Sequence, residues 1–295
     1  MTTPIALLGT GLLGSAFAAA FLARGGSSLT VWNRTRAKAE ALGALGARVA
    51  DTPGDAVRDA DRVHLVLLDD DTVDETIMAF RDALKPGAVI VDHTTLRPDR
   101  TAARAAALNA AGLEYLHAPV MMGPPAARAA KGMMFVAGPI ERFERVRAEL
   151  AKMTGEVHFL GERAELAACY KLCANAMLLM TAGSLADVFH MADGMNMPRE
   201  AVGDVFRKFN TDGVLNARGT RMLNEDYKAT FTLDVARKDV RLMVESADRE
   251  PVPMLRALAQ RMDDAIGAGL SEFDVGVLAK RAFESTSRPR VPQLE

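Results

Sequence analysis

The chain opens on the pattern that most restricts what it can become: apolar residues 5–8, the turn Gly9-Thr10-Gly11-Leu12-Leu13-Gly14, and an alanine-rich stretch reaching Arg24. A strand that enters a glycine turn and leaves as a helix gives each glycine one task. Gly9 permits the tight turn, Gly11 lets a pyrophosphate approach the backbone, and Gly14 lets the helix pack close on the sheet. Backbone N–H groups at the helix start then cradle phosphate. A plain glycine turn in an unrelated α/β protein could look the same, so the rest of the chain must decide.

Apolar runs at 29–32, 63–68, 89–92, 133–136 and 157–160 alternate with helical stretches at 36–45, 71–83, 100–111 and 141–153, several ending at Gly25, Gly46, Gly112 or Gly155. Such alternation predicts crossover connections and a largely parallel, Rossmann-type sheet, with glycine at the helix ends. After Gly161 only helical periodicity remains. The expectation is therefore an α/β protein with a nucleotide-binding domain over 1–162 and an all-helical domain over 163–295 for substrate and dimerisation. Residues 285–295, with Pro289 and Pro292, read as a frayed tail.

Residues 5–23 carry no charge, as a signal or membrane segment would, but no basic region precedes them and three glycines interrupt them. The uncharged stretch 172–186 is shorter than a bilayer needs and contains Asn175, Thr181, Gly183 and Ser184, so it reads as a helix buried in protein. With 36 basic against 38 acidic residues and no long run of one sign, the chain lacks the footprint of a nucleic-acid binder. Cys169 and Cys173 suit a bridge poorly and point to a reducing, cytoplasmic compartment. No metal is expected, because His64, His93, His117, His158 and His190 show no ligand spacing. His93 and His117, at strand ends, are either substrate contacts or ordinary strand-end residues. The methionines of 177–197 read as core or subunit contact.

The second strand ends Val31-Trp32-Asn33-Arg34-Thr35, where an NAD enzyme places a carboxylate on the ribose. Asn33 can bind ribose, Arg34 can pair with a 2′-phosphate, and Thr35 adds a hydroxyl, a set that favours NADP over NAD. The competing reading makes Asn33 a helix cap and Arg34 a solvated charge.

Five separated segments together resemble the β-hydroxyacid dehydrogenase family, which includes 3-hydroxyisobutyrate dehydrogenase and glyoxylate and succinic semialdehyde reductases. They are the glycine turn, Asp92-His93-Thr94-Thr95 with Pro98, Ala118-Pro119-Val120-Met121-Met122-Gly123, Lys171 with Asn175, and Phe231, Leu233, Lys238 and Asp239. The resemblance implies that Gly9, Thr10, Gly11, Leu12, Leu13, Gly14, Leu68, Asp69, Thr95 and Lys238 bind the cofactor. It further implies that Val120, Met121, Met122, Gly123 and Asn175 meet a small carbonyl or hydroxy-acid substrate in a cleft between the domains, and that a homodimer or homotetramer forms.

Carbonyl reduction needs a proton or positive charge at the oxygen that becomes an alkoxide. Lys171, flanked by Tyr170 and Leu172, is the expected general acid/base; Asn175, four residues on, shares its helix face and would orient it. Relatives carry Ser and Gly where this chain has Met121 and Met122, and Pro124 and Pro125 have no N–H to donate. The pocket therefore suits a larger or less polar carbonyl compound. The same loop is similar to that of imine reductases, which gives one alternative reading. A catalytically silent NADP-bound scaffold is another, disfavoured by the joint presence of Lys171, Asn175 and Lys238.

Overall fold

A computed structural model describes residues 3–25 and 27–280; the tail read as frayed lies outside them. The chain forms two compact units that divide between Asn175 and Ala176. In the first, β1 (Thr3–Leu8), α1 (Leu12–Arg24), β2 (Ser27–Trp32), α2 (Arg36–Gly43), β3 (Arg48–Val49), α3 (Pro53–Val57), β4 (Arg62–Leu65), α4 (Asp70–Phe80), β5 (Val89–Asp92), α5 (Pro98–Ala110) and β6 (Glu114–His117) alternate as the apolar runs predict. The six strands pair in parallel in the order β3-β2-β1-β4-β5-β6. Both faces are covered, which is why apolar residues fill most of the strand positions, with Arg62 and His64 of β4 and His117 of β6 among the buried exceptions. One layer packs α1 residues Phe17 and Phe21 on Ile5, Leu7, Val89 and Val91; the other packs Val73, Ile77 and Phe80 of α4 on Ala6, Leu8, Val63 and Ile90.

Two of the apolar runs depart from the expected single sheet. β7 (Val120–Met121), α6 (Pro124–Arg128), β8 (Gly132–Val136), α7 (Ile140–Thr154) and β9 (Gly155–Phe159) follow, and β7-β8-β9 make a separate three-stranded sheet with β7 antiparallel. The ten-residue connection from β7 to β8, although it holds α6, is shorter than the roughly a dozen or more residues a parallel crossover needs, and the pair is antiparallel. The small sheet meets β6 through a bridge from His117 to Ala137.

α8 (Glu165–Gly194) begins where the sequence predicts the long helix. Its first turns belong to the first unit, because Leu166 and Ala167 pack on Phe135, Ala137 and Leu160 of the small sheet. The compact unit therefore runs past residue 162 to Asn175. The second unit holds α9 (Arg199–Lys208), α10 (Thr211–Leu223), α11 (Leu233–Ser246) and α12 (Pro253–Gly267), with a core of Leu233, Ala236, Val240, Met262 and Val277. The expectation that residues 172–186 are buried is corrected. Met177, Leu178, Leu179 and Met180 are all more than half exposed in the single chain. α8 is long and apolar enough to cross a membrane by length and composition alone.

Candidate active site

Register aligns the strand ends of the large sheet. Trp32, Leu8, Leu65, Asp92 and His117 stand in one row across β2, β1, β4, β5 and β6. The loops that follow them therefore emerge side by side, and the chain order reverses between β1 and β4, where open α/β sheets bind ligands.

Steric constraint shapes the first loop. Gly9 adopts φ +99°, and a Cβ there would lie 2.2 Å from the Val66 carbonyl oxygen; one on Gly14 would lie 1.9 Å from that of Gly9. A Cβ on Gly11, by contrast, would meet open space. The turn is thus packed on the protein side and clear on the side where a pyrophosphate would approach. Leu12 is exposed and Leu13 packs on the core. The Gly9 N–H donates to the Trp32 carbonyl, and the Thr10 N–H donates to Asn33 Oδ1 at 3.0 Å.

Asn33 also donates from Nδ2 to the Thr35 carbonyl at 2.9 Å, so its amide braces the turn. It does not cap α2; Thr35 occupies that position. Arg34 and Thr35 are exposed. With Gly9, Gly11, Trp32, Asn33 and Leu68, both line a cavity of about 560 Å³ beside the glycine turn. Lys38, on the first turns of α2, lines it too. Sequence reading missed Lys38; its spacing of four from Arg34 was the available signal.

The loop after β4 carries Leu68, exposed toward the cavity, and Asp69. Asp69 accepts from the Thr72 N–H at 2.9 Å and from the Thr72 hydroxyl at 2.6 Å, capping α4. Those hydrogen bonds hold its carboxyl below the usual range. Its side chain is thereby committed, leaving backbone to face a cofactor. The loop after β5 is locked on both sides: Thr94 N–H donates to Asp92 Oδ1, and Leu67 N–H donates to Thr94 Oγ1. Thr95, next in line, is exposed, and its hydroxyl makes no hydrogen bond among the described residues. His93 and His117 are not substrate contacts in the chain as folded, because both are buried. Asp92 is buried as well, accepting from the Tyr115 hydroxyl at 3.0 Å.

Lys171 lies on the second turn of α8, where that helix crosses the small sheet. Its Nζ donates to the Val120 carbonyl at 2.8 Å and lies 3.3 Å from the Met121 sulfur. Residues 51 apart in sequence thus meet at the segment expected to bind substrate. Burial pushes the lysine pKa down, and no carboxylate counters it among the described residues. Asn175 is half-buried on the same helix face, but the hydrogen bonds of Lys171 go to the substrate loop and not to it. Met121, like Tyr170 and Ala174, packs against the buried cluster of Phe135, Ala137, Leu160, Leu166 and Ala167; Met122 leans on the core and on Gly132, and Gly123 is exposed. Lys238, in α11 of the second unit, is exposed and pairs with Asp239 at 2.8 Å. Cys169 and Cys173 are free thiols, and no cluster of metal-ligating side chains occurs among the described residues.

A bound dinucleotide fits what is present. Gly11 leaves the approach open, the helix start of α1 has no side-chain cap competing for its N–H groups, and the cavity continues to Arg34.

Known proteins point the same way. The family model of the NAD binding domain of 6-phosphogluconate dehydrogenase matches residues 4–161, and that of the NAD-binding region of NADP-dependent 3-hydroxyisobutyrate dehydrogenase matches 167–280. An NADPH-dependent reductive aminase of Aspergillus oryzae is 30% identical over 69% of this chain and 68% of its own. A glyoxylate/succinic semialdehyde reductase of Arabidopsis thaliana is 25% identical over 97% and 81%. Among solved structures, an imine reductase from Myxococcus stipitatus in complex with NADP+ shares the fold with TM-score 0.85, at 24% identity over 94% and 99% of the two chains. The first of these models alone covers more than half of the residues, and the chain belongs to the 3-hydroxyisobutyrate dehydrogenase-like family of NAD(P)-dependent oxidoreductases.

Proposed function

We propose that this oxidoreductase interconverts an apolar ketone or aldehyde with its alcohol, using NADPH in preference to NADH, with Lys171 as the acid/base. The observation that carries the reading is the Lys171 ammonium hydrogen-bonded to the Val120 carbonyl at 2.8 Å, with no carboxylate holding it among the described residues. When bound, the reduced nicotinamide supplies hydride to the carbonyl carbon. Lys171 supplies the proton to the oxygen and recovers it from solvent. Burial lowers its pKa and so eases proton release, and its ammonium form steadies a developing alkoxide.

Arg34 and Lys38 support the NADPH preference, since both are cationic and line the cavity, and the end of β2 carries Asn33 where an NAD enzyme places its ribose-binding carboxylate; Glu75 of α4 lines the same cavity. Met121 and Met122 support an apolar substrate: neither supplies the hydroxyl or bare backbone that would hold a carboxylate. A second copy of the chain is proposed to cover the exposed hydrocarbon of α8, giving a homodimer or a higher homo-oligomer. A monomer by sedimentation at micromolar concentration would remove that part. A reducing, cytoplasmic setting is the companion proposal, consistent with two free thiols.

Imine reduction is the second reading, favoured by the methionine loop and by the reductive aminase relative. NADPH oxidation on non-carboxylate ketones and aldehydes, small oxo acids and cyclic imines, each with wild type and Lys171→Ala, separates the readings. The expected result is turnover of the apolar carbonyls that falls about 100- to 10,000-fold on loss of the lysine. Imine turnover indifferent to Lys171→Ala would replace this reading with the second. NADPH binding without turnover of any compound would leave a scaffold.

A further inference from the structure

Two buried histidines have no part in the chemistry above. Arg62 Nε donates to His64 Nε2 at 2.8 Å, His64 Nδ1 lies 2.8 Å from His93 Nε2, and His93 Nδ1 lies 2.6 Å from the Ala118 carbonyl oxygen. The ends of this chain fix its direction, because a guanidinium only donates and a carbonyl only accepts. Each imidazole must therefore accept on Nε2 and donate from Nδ1–H. Burial, aided by the Arg62 charge, lowers His64 well below its ordinary pKa, and burial brings His93 down to about 4. Both rings are neutral at pH 7. The two rings lie edge to edge and nearly coplanar, their planes 8° apart and their centroids 5.2 Å apart, and rest against Phe21 and Phe17 of α1, the helix that leaves the glycine turn.

The relay ends on the segment that seats Lys171. Three successive carbonyls there take three separate donors: Ala118 from His93, Pro119 from the Phe135 N–H at 3.0 Å, and Val120 from Lys171. The Ala118 N–H donates to the Asp92 carbonyl at 2.7 Å. Among the described residues, His93 supplies the side-chain hydrogen bond that ties this segment to the large sheet beneath α1.

We infer that His93 is a positioning residue, held in a single tautomer by His64 and Arg62, which fixes the 118–120 backbone and through it the Val120 carbonyl on which the Lys171 ammonium rests. The inference depends on the reading of Lys171 as proton donor. A displacement near 1 Å at a reacting group costs up to about 100-fold in rate, so one lost anchor is enough to register.

Side-chain 15N NMR of the wild-type protein at pH 7 should show both histidines as neutral Nδ1–H tautomers. A charged ring or an Nε2–H tautomer at either would overturn the relay. His93→Phe keeps a ring against Phe17 but removes the donor; with NADPH and a carbonyl that wild type reduces, kcat should fall about 10- to 100-fold. NADPH affinity should stay within about twofold, and the pH above which reduction declines should move up toward the ordinary lysine range. His93→Asn, whose amide N–H reaches the same carbonyl, should restore most of the rate. Full activity of His93→Phe, equal losses in His93→Asn, or a parallel loss of NADPH affinity would each refute positioning. Lys171→Met separates the two claims. If it is inactive beside a fully active His93→Phe, only the relay falls; if it is fully active, the Lys171 reading falls and takes the relay with it.

Discussion

The loop after β1 and the loop after β6 lie along the same row of strand ends but are built in opposite ways. The first is made of backbone and close contact: Gly9 and Gly14 have no room for a Cβ, and the approach to Gly11 is left clear. The second is held by side chains from elsewhere, His93 and Lys171, and its surface is filled by Met121 and Met122. A loop of the first kind can bind only what matches its fixed N–H groups. A loop of the second kind takes its specificity from whichever side chains occupy it, so substrate can change while cofactor does not.

The strongest way to break this comparison is to add one methyl group to each glycine. Gly14→Ala should cost about 3 kcal/mol or more, read as a lower melting temperature or failure to fold, because carbonyl oxygen must move. Gly11→Ala should melt like wild type yet lose NADPH affinity by about tenfold or more, read by fluorescence titration. Equal melting losses in both would mean that the approach to Gly11 is not where phosphate lies.

Arg34→Ala comes next. The Michaelis constant for NADPH should rise about tenfold or more while that for NADH barely moves, as loss of a charge-assisted bond to a 2′-phosphate demands. Equal effects would show Arg34 to be a solvated charge. On the second loop, Met121→Ser restores a hydroxyl and should raise kcat/KM for small oxo acids about tenfold relative to ketones lacking a carboxylate. An unchanged ratio would mean that Met121 does not face substrate.

The smallest effect concerns the histidines beneath both loops. Burial lowers the pKa of His64, His93 and His117 in the folded chain, so below the ordinary value near 6.5 the unfolded state takes up protons that the folded state refuses. Stability should be flat above pH 7 and decline as pH falls from there toward 4, by under about 1 kcal/mol per histidine between pH 7 and pH 6. Chemical denaturation of wild type and His93→Asn at the two pH values tests this; the variant should lose less.

The contrast also explains what the sequence discloses. Glycine spacing and runs rich in apolar residues are local signals, so the turn, the parallel sheet and the start of α8 were all legible. Gly25, Gly46, Gly112 and Gly155, read as helix ends, all adopt positive φ. The separate small sheet was not legible, because two apolar runs do not reveal which neighbour they will pair with. Nor was the role of Asn33 as a brace, since its partner Thr10 lies 23 residues back, or the interior placement of His93 and His117, polar residues whose burial is made tolerable only by partners far along the chain. Lys171 could be picked out as a residue, but its seat on Val120 emerges only once β7 folds under α8.

The bare hydrocarbon along α8 carries a last consequence. Methionine and leucine side chains standing in water there mean that folding of one polypeptide does not finish the hydrophobic collapse. If a second copy shields that stripe, as proposed above, it enters the unfolding equilibrium as a reactant, so resistance to heat should climb with protein concentration and fade on dilution. Assay stocks kept at nanomolar strength would then lose activity sooner than the same material stored concentrated.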